Sequence, residues 1–84
     1  MLRKLGKGAV SEEMERRHLA QANRHIEEAT KRIARQELLI AKLEHAGRDT
    51  TAARHLLKQF EETRRLMVEH RAMILRVLGS ASEP

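Results

Sequence analysis

Cysteine, tryptophan and tyrosine are absent from this 84-residue chain, and Phe60 is its single aromatic residue. Without cysteine there is no disulfide framework, no thiolate metal ligand and no thiol nucleophile. One proline and four glycines are too few for the many turns of a small β-fold. No apolar run approaches the roughly 20 residues that cross a bilayer. The basic start at Arg3, Lys4 and Lys7 is not followed by the apolar segment of a signal peptide. These absences leave a single small, cytoplasmic, all-α domain as the expectation.

What the chain does have is charge and aliphatic side chains. Hydrophobic residues make up 40% of it and charged residues 35%, enough apolar material to fold. Lys and Arg number 17 against 12 Asp and Glu, a formal charge of +5 with histidines neutral.

Residues 1–10 (MLRKLGKGAV) read as a flexible basic tail, because Gly6 and Gly8 oppose a helix. Ser11 reads as an N-cap, with Glu12, Glu13 and Glu15 at the positive end of the helix dipole. From Glu12 to Ala46 there is neither glycine nor proline, which predicts a helix over about 12–46. Gly47 stops it in the usual place for a left-handed residue. Asp49 or Thr50 caps a second helix over about 51–78, ended by Gly79, and 80–84 form a short polar tail. A turn over 47–50 is too short to do anything but fold two long helices back antiparallel. The predicted domain is therefore a two-helix hairpin over 11–79.

Both helices carry a seven-residue apolar repeat, the pattern of coiled-coil-like packing. Helix 1 places Leu19, Ile26, Ile33 and Ile40 at this spacing, interleaved with Ala22, Ala29, Gln36 and Leu43. Helix 2 has Ala53, Phe60, Met67 and Ile74, interleaved with Leu56, Thr63, His70 and Val77. Pairing larger with smaller side chains sets Leu43 against Ala53, Ile40 against Leu56, Gln36 against Phe60 and Ile33 against Thr63. It then sets Ala29 against Met67, Ile26 against His70, Ala22 against Ile74, and Leu19 against Val77. Gln36, Thr63 and His70 read as polar seam residues that fix register; His70 would also be a pH sensor if it titrates there.

Apolar side chains remain outside that seam. Leu38, Leu39 and Ala41 are left over on helix 1, and Leu57, Leu66, Val68, Met73, Leu75 and Leu78 on helix 2. A second copy covers them most simply, giving a homodimeric four-helix bundle with Leu39, Leu57, Leu66, Met73 and Leu78 at the oligomer interface.

Catalytic, cofactor and metal sites are not expected. Glu15 and His18 make the one Glu-x-x-His pair of a di-iron bundle, and no His-x-x-x-His spacing exists for zinc. Ser11, Ser80 and Ser82 lie at element ends, and there is no phosphate loop or nucleophile elbow. Charge is mostly self-paired at helical spacing: Glu12 with Arg16, Glu13 with Arg17, Glu27 with Lys31, Glu28 with Arg32, and Glu61 with Arg65. A basic stripe at Arg17, Arg24, Lys31 and Arg35, and a shorter one at Arg64 and Arg71, are the candidate phosphate contacts. They come without a helix-turn-helix or an aromatic stacking platform. The tail's Leu2 and Leu5 make too short an anchor for stable membrane association.

Four blocks carry a resemblance: His18-Leu19-Ala20, Arg35 to Ile40, the turn Gly47 to Thr51, and Leu56 to Glu61. Over residues 18–75 the chain resembles small bacterial helical-hairpin proteins of unassigned function. The resemblance implies a hairpin with a fixed turn and a bacterial origin, and it transfers no functional residue. The reading that follows is a non-enzymatic, homo-oligomeric hairpin acting as a structural or protein-interaction module. The alternative is a small basic nucleic-acid-associated protein.

Overall fold

The computed structural model describes the backbone over residues 2–82 and the side chains over 11–79. It contains two helices, α1 (Leu2–His45) and α2 (Thr51–Ser82), packed side by side and antiparallel. The molecule is a rod of 69 × 15 × 14 Å, and the interior of the described residues is the single layer between the helices.

The turn forms because three adjacent sequence features agree. Gly47 sits at φ 69°, where a side chain would be strained. The Arg48 amide then reaches the Leu43 carbonyl at 2.8 Å and the Gly47 amide reaches that of Glu44 at 3.0 Å, a Schellman end to α1. Asp49 opens α2 by accepting from the Thr51 amide (3.0 Å) and the Thr51 hydroxyl (2.7 Å). These two hydrogen bonds hold its carboxyl below the ordinary carboxylate range. Arg54 ties the two ends together, donating to the Thr50 hydroxyl at 2.9 Å and ion-pairing with Glu44.

Both outer helix ends differ from expectation. α1 begins at Leu2 rather than after Ser11, so the backbone of the segment read as a flexible basic tail is helical. α2 continues through Gly79 to Ser82. A glycine inside a helix costs only about 1 kcal/mol, and extending an existing helix adds one hydrogen bond per residue with no new nucleation. The tail's side chains, and Met1, Glu83 and Pro84, lie outside the described residues.

On α1 the buried and half-buried positions are Glu12, Glu15, Leu19, Ala22, Ile26, Ala29, Ile33, Gln36, Ile40 and Leu43, spaced alternately by three and four. On α2 they are Ala53, Leu57, Phe60, Arg64, Met67, Arg71, Ile74 and Leu78. The α2 seam therefore differs from the predicted one at every second position. Leu56, Thr63, His70 and Val77 are exposed, and their immediate successors point inward. Leu57 and Leu78, expected at an oligomer interface, belong to the hairpin's own seam.

The cause lies in Arg64 and Arg71. By residue type neither looks like a core position. In the fold each runs its three-methylene stem along the seam and carries the guanidinium out to one side. Arg64 donates to the Thr30 hydroxyl at 3.4 Å and Arg71 to the Asn23 side-chain oxygen at 3.3 Å. These bonds and the two series of inward positions set the register. Ile40 lies level with Ala53, Gln36 with Leu57, Ile33 with Phe60, and Ala29 with Arg64. Ile26 lies level with Met67, Ala22 with Arg71, and Leu19 with Ile74. Large faces small in three of these layers, Ala53 against Ile40 and Ala29 and Ala22 against the two arginines, while the other four pair two larger side chains.

The core is thin. Ile33 and Ile74 are its most enclosed side chains, each 4% exposed, and Phe60 is only half-buried with the Arg32 guanidinium 5.6 Å from its ring centre. Gln36 is the one buried polar residue among those described. Its amide donates to the Ala53 carbonyl at 2.9 Å, which removes the cost of burying it.

Candidate interaction surface

The seam has two flanks with different chemistry. One carries Asn23, Thr30 and Glu44 of α1 beside Arg54, Val68 and Leu75 of α2, and receives the guanidiniums of Arg64 and Arg71. The other carries His18, His25, Arg32 and Leu39 of α1 beside Leu56, Thr63, Leu66, His70, Met73 and Val77 of α2. The second is the histidine flank.

Two hollows indent the histidine flank, each at an alanine layer. At the Ala22 layer the seam residue opposite is Arg71, which leaves towards Asn23 on the far side. A methyl group alone cannot fill the vacated space. The result is a hollow of about 270 Å³ bounded by Ala22, His25, Thr63, Leu66, Met67 and His70. It is continuous with one of about 260 Å³ that extends to His18 and Gln21. At the Ala29 layer Arg64 leaves in the same way, and the smaller hollow there, about 190 Å³, is edged by Arg32 and Phe60.

Three histidines thus converge on one open trough. His70 is exposed on its wall rather than placed in the seam against Ile26. His18 has its Nδ1 3.6 Å from a Glu15 carboxylate oxygen. Among the described residues no group of three or more His, Asp or Glu side chains is arranged to hold a metal ion.

Around this trough the flank is apolar and wet. Leu66 is 53% exposed, Met73 58% and Val77 52%. Leu39 and Leu56 add a second exposed pair beside the turn. Of the residues predicted for an oligomer interface, Leu39, Leu66 and Met73 share this flank. Leu56 and Val77, read from sequence as seam, join them there. Val68 and Leu75 lie exposed on the opposite flank.

The predicted phosphate contacts divide. Arg17 pairs with Glu13 at 3.1 Å and Lys31 with Glu27 at 3.6 Å, which neutralises half the stripe. Among the described residues Arg24 and Arg35 have no ion pair. Arg16 pairs with Glu12 at 3.5 Å as its spacing predicts. Two expected pairs are replaced: Arg32 stacks on Phe60 rather than meeting Glu28, and Arg65 bridges Glu62 and Glu69 rather than meeting Glu61. The Arg65 hydrogen bond holds the Glu62 carboxyl below its ordinary range. All these pairs are exposed, so solvent screening leaves each a weak contributor to stability.

Among the described residues no helix is long and apolar enough to cross a membrane. No protein family, curated protein or solved structure matches the chain.

Proposed function

We propose that this chain is a non-enzymatic, homo-oligomeric helical-hairpin module, an antiparallel coiled coil that pairs with a second copy to complete a four-helix bundle. The observation that carries the reading is the histidine flank, where Leu39, Leu56, Leu66, Met73 and Val77 are all at least 39% exposed along one side of the rod. Large apolar side chains gathered in this way on one flank mark an interface on a small protein. Burying each Leu or Met is worth roughly 1.5–3 kcal/mol, and a two-fold interface counts every one twice. That is enough to offset association entropy at micromolar concentration. The module's role is structural: it presents or joins other elements, in the cytoplasm, without chemistry of its own.

Sedimentation of the parent and of the double variant Leu66→Glu, Met73→Glu tests this. The parent is expected to sediment as a dimer at micromolar concentration and the variant as a monomer. A dimeric mass for both would move the interface to another face, with Leu38, Val68 and Leu75 the next candidates, and a monomeric parent would overturn the reading.

The alternative, a small basic nucleic-acid-associated protein, draws on Arg24 and Arg35, the members of the stripe without an ion pair among the described residues. Retention of duplex nucleic acid at near-physiological salt, with affinity falling steeply as salt rises, would favour it.

A further inference from the structure

Two series of residues on α2 compete for one place in the seam. Ala53, Phe60, Met67 and Ile74 face inward. On one side of them Leu57, Arg64, Arg71 and Leu78 pack; on the other Leu56, Thr63, His70 and Val77 stay exposed. The two series lie about 100° apart around the helix, so turning α2 by about half that angle exchanges them.

The hollows sit where the second series would go. His70 stands at the rim of the hollow in the Ala22 layer, and Thr63 borders both that hollow and the one in the Ala29 layer. By level, His70 falls between Ala22 and Ile26, and Thr63 between Ala29 and Ile33. These are the positions of knobs facing holes.

The ties that hold the observed seam are weak. Arg71 reaches Asn23 at 3.3 Å and Arg64 reaches Thr30 at 3.4 Å, both longer than the usual N–H···O range and both to uncharged acceptors. Among the described residues no side chain is fully buried, so no tightly locked layer opposes a turn of the helix.

We propose that the hairpin is a two-state rod, in which α2 turns about its own axis between the observed seam and a second one closed by Leu56, Thr63, His70 and Val77. The four shared residues stay inward in both states, and no slide along the rod is needed. The trade is close to even. Leu57 and Leu78 are exchanged for Leu56 and Val77, and two arginine stems for a threonine and a histidine that fill the hollows. Two packings of one sequence that differ this little make a switch.

The turn carries the apolar face with it. In the observed seam Leu56 and Val77 are exposed on the histidine flank with Leu66 and Met73. In the second seam they go inward, and Leu57 and Leu78 come out beside Val68 and Leu75 on the opposite flank. A partner that grips one flank therefore selects the seam. The inference rests on the hairpin fold and not on the self-association reading.

Spin labels test it, because the chain has no cysteine of its own. The pair Glu27→Cys and Val68→Cys marks the flank that receives the two guanidiniums, and the turn carries position 68 away from α1. Distances are read by pulsed electron resonance on the full chain, diluted with unlabelled chain so that only distances within one hairpin count, with circular dichroism on the same samples. The parent is expected to show two distances, the longer by several ångströms. Adding Thr63→Leu and His70→Leu, at positions exposed in the observed seam, should shift the population to the longer distance. Adding Arg64→Leu and Arg71→Leu should hold it at the shorter one. Where the first pair lowers helicity, His70→Leu alone carries the same expectation. A parent confined to the shorter distance overturns the inference, and so does a Thr63→Leu, His70→Leu variant that keeps the parent's distribution.

Discussion

Arg71 donates from Nη1 to the Asn23 side-chain oxygen across the seam at 3.3 Å, and its position lies level with Ala22. Seven residues earlier Arg64 repeats the arrangement with Thr30 beside Ala29. In both layers an alanine makes room for an arginine stem, and the following polar residue on α1 receives the guanidinium. The pattern secures the register and hollows the opposite flank in one step.

Because the stem, not the charge, faces the seam, substitutions at Arg71 should separate the two contributions. Arg71→Ala removes the methylene packing and the hydrogen bond to Asn23 and is expected to cost about 1 kcal/mol. Arg71→Leu keeps apolar volume at a seam position and should melt above the parent, since replacing a partly buried charge by a packed hydrophobe is often stabilising. Thermal melts followed by circular dichroism give both signs; a leucine variant that melts below the parent, as the alanine variant does, would mean that the hydrogen bond dominates.

The layer that joins Ile33 to Phe60 sets the fold's sensitivity to cavities. Ile33 and Ile74 are the most enclosed side chains, while Phe60 keeps one face to solvent and to Arg32. Ile33→Ala and Ile74→Ala should each cost about 2–4 kcal/mol in urea unfolding. Phe60→Ala should fall below the roughly 3–5 kcal/mol of a fully buried aromatic. Phe60→Ala costing more than either isoleucine variant would place the ring deeper in the seam than Ile33.

Much of this architecture is legible in the residues. Gly47 and Asp49 announce the turn, and Leu19, Ile26, Ile33 and Ile40 announce the inward face of α1, because local backbone chemistry and apolar period act without reference to the partner helix. The α2 seam is harder to read. Leu56, Thr63, His70 and Val77 are more apolar as a series than Leu57, Arg64, Arg71 and Leu78, yet the second series is the one that packs. Residue type hides the apolar stem of an arginine, and only the alanines opposite reveal that there is space for it. The trough was invisible for the same reason: it depends on the side to which Arg71 turns. The outer helix ends depend on how little a single glycine costs once a helix already exists.

Acid should weaken the hairpin through its turn. Hydrogen bonds from Thr51 lower the Asp49 carboxyl, and Arg65 lowers that of Glu62. A carboxyl depressed in the folded state contributes stability that is fully present above its unfolded value, near about pH 4, and is lost as pH falls through the folded value. The melting temperature is therefore expected to drop below about pH 4. Asp49→Ala should melt lower than the parent at neutral pH and show a shallower acid limb. Parallel acid limbs for parent and variant would remove Asp49 from the linkage.

Two glycines of identical spatial surroundings should respond to alanine with opposite signs. A Cβ added at Gly47 or at Gly79 meets nothing within 4 Å, so neither substitution introduces a clash. The difference is the backbone. Gly47 is held at φ 69° by the Arg48 and Gly47 amide bonds that close α1, and an L side chain there is strained. Gly79 lies inside α2 with ordinary helical sign, where glycine is the poorer residue because its unfolded chain has more freedom to lose. Gly47→Ala is expected to destabilise by about 1–2 kcal/mol and Gly79→Ala to stabilise by up to about 1 kcal/mol. Gly47→Asn should recover part of the loss, since asparagine tolerates the left-handed region better than alanine does. Denaturant midpoints of the three variants against the parent measure this directly. If Gly79→Ala destabilises instead, α2 ends at that glycine in solution, and residues 80–82 are not part of the helix.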